Sequence, residues 1–200
     1  MIGIVDYGAG NLMSVQKALT AVGSDSVISD RPEVLRAANS LVLPGVGAFP
    51  SAMRSLRERG LDRFLVEQAA LGKPLLGICL GMQMLFTRSE ELGDTQGLNL
   101  IPGVVRRIKT DLKIPHVGWN SLTRRAPCAL LDNLPDGTYC YFVHSFEACV
   151  EDPRDLVAVT DYGGPVTAAV ARGNVYGVQF HPEKSSAAGL AILRTFSKFT

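Results

Sequence analysis

Cys79 stands between Gly77 and Gly81, where an apolar run, Leu75 to Ile78, gives way to helix-forming residues from Leu80 to Phe86. A strand that turns directly into a helix holds its tip residue in a strained backbone conformation and exposes the side chain. Glycines two positions away on either side remove side chains that would collide. The tip residue also meets the free N–H groups and the positive dipole end of the helix, which favour a thiolate. A lone cysteine in an apolar run is otherwise a small buried hydrophobe, the reading that suits Cys128, Cys140 and Cys149. The paired glycines and the strand-to-helix context mark Cys79 as a nucleophile, provided that a histidine serves it.

Three histidines compete for that role: His116 in Pro115–Asn120, His144 in Tyr141–Ser145, and His181 in Gln179–Glu183. Only His181 has a carboxylate two residues on. In an extended stretch, residues i and i+2 point the same way, and Pro182 biases His181 toward that geometry. Glu183 is therefore expected to hold one ring nitrogen while the other faces the thiol, the logic of nucleophile, base and orienting acid in a catalytic triad. Zinc is the competing use of Cys and His, but no clustered ligand spacing supports it.

These groups need a scaffold. Ile2–Val5 reads as a buried strand, and Asn11 as the N-cap of a helix over residues 12–22 with Leu12, Val15, Leu19 and Val22 at helical spacing. Gly3, Gly8 and Gly10 do not make a dinucleotide-binding GxGxxG. A strand is expected over Ser26–Ser29, a short helix from Pro32 to Ala38, and a strand over Leu41–Leu43 ending in the loop Pro44–Gly47, whose glycines allow it to present bare backbone N–H groups. Helices over 50–58 and 61–71 lead through Gly72 and Pro74 into the strand that carries Cys79. This alternation predicts a parallel sheet covered on both faces, with the Pro44–Gly47 loop and the cysteine both at strand C-termini, where the loop can serve an oxyanion. After a polar stretch from Glu90 to Gly97, strands are expected over Val104–Ile108, Thr138–Val143, Leu156–Thr160, Thr167–Ala171 and Val175–Phe180. A last helix carries Leu190, Leu193 and Phe196 on one face. The fold expected is α/β: a mostly parallel central sheet with helices on both faces and a strand-rich, partly antiparallel C-terminal half, all in one domain over residues 1–200.

Two hundred residues, 46% of them hydrophobic, suit one sizeable core. With 20 basic and 19 acidic residues and no basic cluster beyond Arg106-Arg107 and Arg124-Arg125, nucleic-acid partners are not expected. No apolar run is long enough to span a membrane and no signal peptide is evident, and four unevenly spaced cysteines without CxxC suit a reducing compartment, so a cytoplasmic location is expected.

Gly77–Gln83 and Gly177–Ser185 resemble the two signatures of class I, or triad, glutamine amidotransferases. Asp6–Leu12, Leu43–Gly47, Gly97–Gly103, Pro115–Asn120 and Tyr141–Ser145 are further similar to the glutaminase subunits of imidazole glycerol phosphate synthases, and the resemblance covers nearly the whole chain. It departs at Val117, where methionine is expected, and at Phe146, where tyrosine is frequent. The resemblance implies glutamine hydrolysis, with Cys79 attacking the side-chain amide, His181 and Glu183 completing the triad, and the oxyanion held by the N–H of Leu80 and one from Val46 or Gly47. Gln83, Glu91, His144 and Ser145 would bind glutamine, and no metal or organic cofactor is called for. A chain this short cannot use the ammonia itself. The resemblance supplies a (β/α)8-barrel cyclase as partner in a heterodimer, with Asn11 and Trp119 at the interface. The rivals are another amidotransferase subunit, a free γ-glutamyl hydrolase, and a non-catalytic scaffold; the intact Cys79, His181 and Glu183 argue against the last.

Overall fold

The computed structural model describes residues 1–199. Its first part alternates strand and helix: β1 (Ile2–Val5), α1 (Leu12–Ala21), β2 (Ser26–Ser29), α2 (Pro32–Arg36), β3 (Ser40–Gly45), α3 (Phe49–Glu58), α4 (Leu61–Ala70), β4 (Leu75–Cys79) and α5 (Leu80–Met84). Strands then dominate: β5 (Phe86–Ser89), β6 (Thr95–Gln96), β7 (Ile101–Arg107), β8 (His116–Ser121), β9 (Thr123–Arg124), β10 (Tyr139–His144), β11 (Phe146–Val150), β12 (Leu156–Asp161), β13 (Pro165–Arg172) and β14 (Val175–Val178). Helix α6 (Ser186–Phe196) follows them.

The main sheet has eight strands in the order β2-β1-β3-β4-β14-β13-β12-β9. Pairing is parallel from β2 to β14 and antiparallel beyond it. Strands β1, β3 and β4 are buried on both faces, which is why they read as unbroken apolar runs. Ile4, Val42, Leu76 and Ile78 pack with Leu19 of α1 and with Ile192, Leu193 and Phe196 of α6. Leu41, Leu43 and Leu75 pack on the opposite side, with Leu35, Leu56 and Leu65 from α2, α3 and α4. In α3 the buried Phe49, Ala52, Met53 and Leu56 fall at i, i+3, i+4 and i+7, one stripe of a helix. Full burial of each such large side chain contributes about 1.5–3 kcal/mol.

What matters for chemistry is the register of three neighbours. Gly45 at the end of β3 lies opposite Cys79 at the end of β4, and Val178 at the end of β14 lies opposite Ile78. Three adjacent parallel strands thus stop at one edge, so the segments that follow them converge there. A four-stranded sheet, β11-β7-β5-β6, and a two-stranded one, β10-β8, complete the fold.

Several expectations need correction. The helix after Cys79 stops at Met84, not Phe86: Phe86 opens β5, drawn away by pairing with Ile101 of β7. Strand β14 ends at Val178 rather than Phe180. Strands β8 and β11 were not anticipated; both are held by distant antiparallel partners. Asn11 occupies the N-cap position of α1, yet its side chain makes no capping bond. Cys128 and Cys140 are buried as expected, whereas Cys149 is only half-buried.

Candidate active site

Cys79 ends β4 and begins α5 with φ 56° and ψ −112°, a left-handed backbone that a non-glycine residue adopts only under constraint. The constraint is close packing of α5 on the strands beneath it. A methyl group on Gly81 would lie 1.8 Å from the Leu43 carbonyl oxygen, and one on Gly77 would lie 2.7 Å from the Gly81 backbone. Neither residue can be anything but glycine while the turn keeps this shape, as the sequence suggests.

His181 follows β14 on the neighbouring strand. Its Nδ1–H donates to Glu183 Oε1 at 2.8 Å, and both side chains are almost wholly buried. The backbone there is stapled to β10: the His181 N–H donates to the Tyr141 carbonyl at 2.9 Å, the Tyr141 N–H to Ser185 Oγ at 3.0 Å, and the Ser185 hydroxyl to the His181 carbonyl at 2.7 Å. Gly189 of α6 lets that helix close on the turn, since a methyl group there would meet the Pro182 carbonyl oxygen at 1.8 Å. Asn11 Nδ2–H donates to Glu183 Oε1 at 3.3 Å, which explains its missing cap.

Burial works against a charge on His181, but hydrogen bonds and charge from Cys79 and Glu183 outweigh it and raise the imidazole to about 9. Burial likewise opposes ionisation of Glu183, yet the His181 hydrogen bond and charge, with help from Asn11, hold its carboxyl below the usual carboxylate range. Imidazole and carboxylate thus form a hydrogen-bonded pair, and the nearby sulfur favours the charged imidazole.

A cleft of about 440 Å³ opens over Cys79. Val46, Gly47 and Leu80 line it beside the sulfur, and Gln83, Glu91, His144, Ser145, Asn11 and Lys184 line the rest. Gly47 has φ +96° and open space around its Cα. Of the expected residues, Cys79, His181, Leu80, Val46, Gly47, Gln83, Glu91, His144 and Ser145 all line this one cleft, while Glu183 is buried behind His181 and does not. Their detailed placement adds what the sequence did not reveal. Glu91 Oε2 accepts the Phe49 N–H at 2.8 Å, capping α3. Gln83 is buried, with Nε2 donating to the Phe146 carbonyl at 3.0 Å and to Gln179 Oε1 at 2.9 Å. His144 Nδ1–H donates to the Phe146 carbonyl at 2.9 Å, and its Nε2 lies 2.9 Å from His116 Nδ1.

His116, once a rival base, is not in the cleft lining. It stacks between Phe142 and Tyr162, with ring centroids 4.9 and 4.0 Å away. Burial pushes its imidazole below the ordinary value and brings His144 down to about 4, the latter helped by repulsion from His116 and His181 and opposed by the Phe146 carbonyl. Both rings are thus neutral near pH 7, with His116 donating to His144 Nε2 and its own Nε2 accepting from Asn120 at 3.3 Å.

Trp119 lies outside the cleft and is half exposed. It pairs with Tyr141 across the β8–β10 ribbon, and Val117 pairs with Val143. Val117, Trp119, Tyr139 and Val143 are all partly exposed and alternate onto one apolar face, of which Val143 borders the cleft. No helix among the described residues is long and apolar enough to cross a membrane.

The family described as glutamine amidotransferase class-I matches residues 4–198. The chain is 51% identical over 199 residues to the imidazole glycerol phosphate synthase subunit HisH of Desulfitobacterium hafniense, covering 100% of this chain and 94% of that one. It is 52% identical over 198 residues to the protein of the same name from Bacillus cereus, covering 98% and 93%. Among solved structures, one described as a glutamine amidotransferase superposes with a TM-score of 0.76 at 19% identity, covering 94% of each chain. The structure of PurLQS from Thermotoga maritima gives 0.76 at 20% identity, covering 98% and 96%. At those identities the solved structures speak for the fold alone.

Proposed function

The chain belongs to the class I glutamine amidotransferases, and we infer that it is the glutaminase subunit of an imidazole glycerol phosphate synthase, hydrolysing glutamine to glutamate and ammonia in histidine biosynthesis. The observation that carries the chemistry is Cys79 at a strained strand-to-helix turn, with the His181–Glu183 pair delivered to it by the adjacent strand.

The reaction follows from these positions. The Cys79 sulfur attacks the amide carbon of the glutamine side chain with its proton already resting on His181, which Glu183 orients. The oxyanion that forms is held by the Leu80 N–H and by one from Val46 or Gly47. His181 then gives its proton to the departing nitrogen, so ammonia leaves and a glutamyl thioester remains. Water, deprotonated by the same imidazole, hydrolyses the thioester to glutamate and returns the thiol. Both Gln83 amide hydrogens are engaged within the protein, so this side chain has only its oxygen to offer, an acceptor suited to the substrate NH2. The remaining lining groups, Glu91, His144 and Ser145, complete the glutamine site. Since the ring nitrogens of His144 are engaged with Phe146 and His116, its contribution to substrate is its backbone and shape.

Ammonia is a nucleophile only while unprotonated, so it must pass directly to a consumer. We assign that role to a (β/α)8-barrel cyclase subunit docked on the apolar β8–β10 face, with Trp119 as an anchor and Asn11 beside the cleft mouth. Thioester chemistry of this kind calls for no metal or organic cofactor, and its free thiol suits the reducing cytoplasm. The test is Cys79→Ser in the assembled synthase: glutamine-dependent product formation falls by nearly all of its rate, while added ammonium at high pH still supports synthesis. Substantial glutamine turnover by that variant rules out Cys79 as the nucleophile.

A further inference from the structure

Gln179 is wholly buried between β14 and His181, with its side-chain amide beside the nucleophile. Nε2 lies 3.7 Å from Cys79 Sγ. The direction of this amide is fixed by atoms further away. The Phe146 carbonyl can only accept, so the Gln83 atom 3.0 Å from it is nitrogen. The second hydrogen of that nitrogen goes to Gln179 at 2.9 Å, which must answer with its oxygen. The Gln179 N–H is left facing the sulfur.

We propose that Gln179 is a positioning residue for the glutaminase reaction, donating an N–H to the Cys79 sulfur so as to hold it for attack and favour its ionised form, with Gln83 and the Phe146 carbonyl setting the direction of the donor. The inference rests on the glutaminase reading and deepens it, because the triad alone does not call for a second donor on sulfur. A hydrogen bond to an anion is about twice as strong as one between neutral groups, so this donor favours thiolate over thiol. The Val143 carbonyl, 3.8 Å from Sγ on β10, acts in the opposite sense by accepting the thiol proton. The other groups facing the sulfur are His181, from the segment after β14 with Glu183 behind it, and Tyr7, from the loop after β1, whose phenol is kept neutral by burial and by Cys79. Among all of these, only Gln179 is uncharged at every pH and a donor.

The experiment is alkylation of the full chain by iodoacetamide as a function of pH, read at Cys79 by peptide mass. Gln179→Met keeps length and removes the donor. The rate at pH 7 is expected to fall about tenfold, with the plateau at high pH unchanged within about twofold. Gln179→Glu, which puts an oxygen where the N–H was, lowers the rate at pH 7 further. A second measurement needs no Gln179 variant: the 15N-bound side-chain protons of Gln179 shift as Cys79 ionises, and lose that shift in Cys79→Ala. A profile unaltered in both Gln179 variants, or a Gln179 resonance indifferent to Cys79, overturns the proposal. Alkylation requires neither glutamine nor a partner, so such a failure leaves the glutaminase reading standing. That reading falls instead if Cys79→Ser keeps its glutamine turnover.

Discussion

Two influences oppose each other at the imidazole of His181: burial disfavours its charge, and the sulfur and carboxylate on either side favour it and win, bringing it to about 9. A histidine whose pKa is raised on folding adds stability that is fully present below its unfolded value of about 6.5 and is lost as pH rises through about 9. Titrating the ring by NMR should give a midpoint near that value. Cys79→Ala should move it down, and so should Glu183→Gln; a midpoint unmoved by either substitution means that neither group holds the proton. This pairing was legible in the chain because His181 and Glu183 are two residues apart and Pro182 keeps the stretch extended. Asn11 was legible as a helix cap and, by resemblance, as an interface residue, but not as a partner of the triad. Its true partner, Glu183, lies 172 positions away, and no local pattern reports a contact of that range. Gln179 was hidden for the same reason: in sequence it is one polar residue in an apolar strand end.

The turn between β4 and α5 depends on what its neighbours leave out. In Gly81→Ala the added methyl would fall 1.8 Å from the Leu43 carbonyl oxygen, a backbone atom that cannot rotate away, so destabilisation of about 3 kcal/mol is expected. In Gly47→Ala nothing lies within 4 Å, but φ is +96°, a conformation that costs an L-residue about 1–2 kcal/mol. The loop would relax away from that conformation while the fold survives, and a lost oxyanion donor lowers glutamine hydrolysis about a hundredfold. Thermal melts and glutamate assays on the two variants should therefore diverge: Gly81→Ala fails in the melt, Gly47→Ala in the assay. Equal melts would mean that α5 is free to lift off β3. The glycine spacing around Cys79 announced this turn because steric exclusion is local. The end of α5 was less visible, since Leu80 to Phe86 has helix-forming composition throughout and only the pairing of Phe86 with Ile101, in a distant strand, pulls it into β5. Strands β8 and β11 were missed on the same account: their partners, β10 and β7, are remote in the chain.

Folding as a whole carries an acid sensitivity set by the neutral His116–His144 pair. His144 binds its proton near pH 6.5 when unfolded but only near 4 when folded. The unfolded chain therefore takes up more protons as pH falls from about 6.5 to about 4, and stability falls with it. Urea denaturation at several pH values should show this decline, smaller in His144→Gln; an identical slope in that variant would refute the assignment. At the same scale, glutamate production by the chain alone, with a cyclase, and with a ligand-loaded cyclase should rise by about a hundredfold across the series as an oxyanion donor swings into place. Equal rates in all three would make a free-standing glutamine hydrolase the better reading. The uncovered β8–β10 face has a further consequence, for supply. Chains synthesised in excess of whatever covers Val117, Trp119, Tyr139 and Val143 present those side chains to one another and to the folding and degradation machinery of the cell. The quantity of working enzyme is then expected to follow the scarcer of the two gene products, and expression of this one alone to raise aggregate rather than activity, which soluble yield with and without a co-expressed cyclase would check.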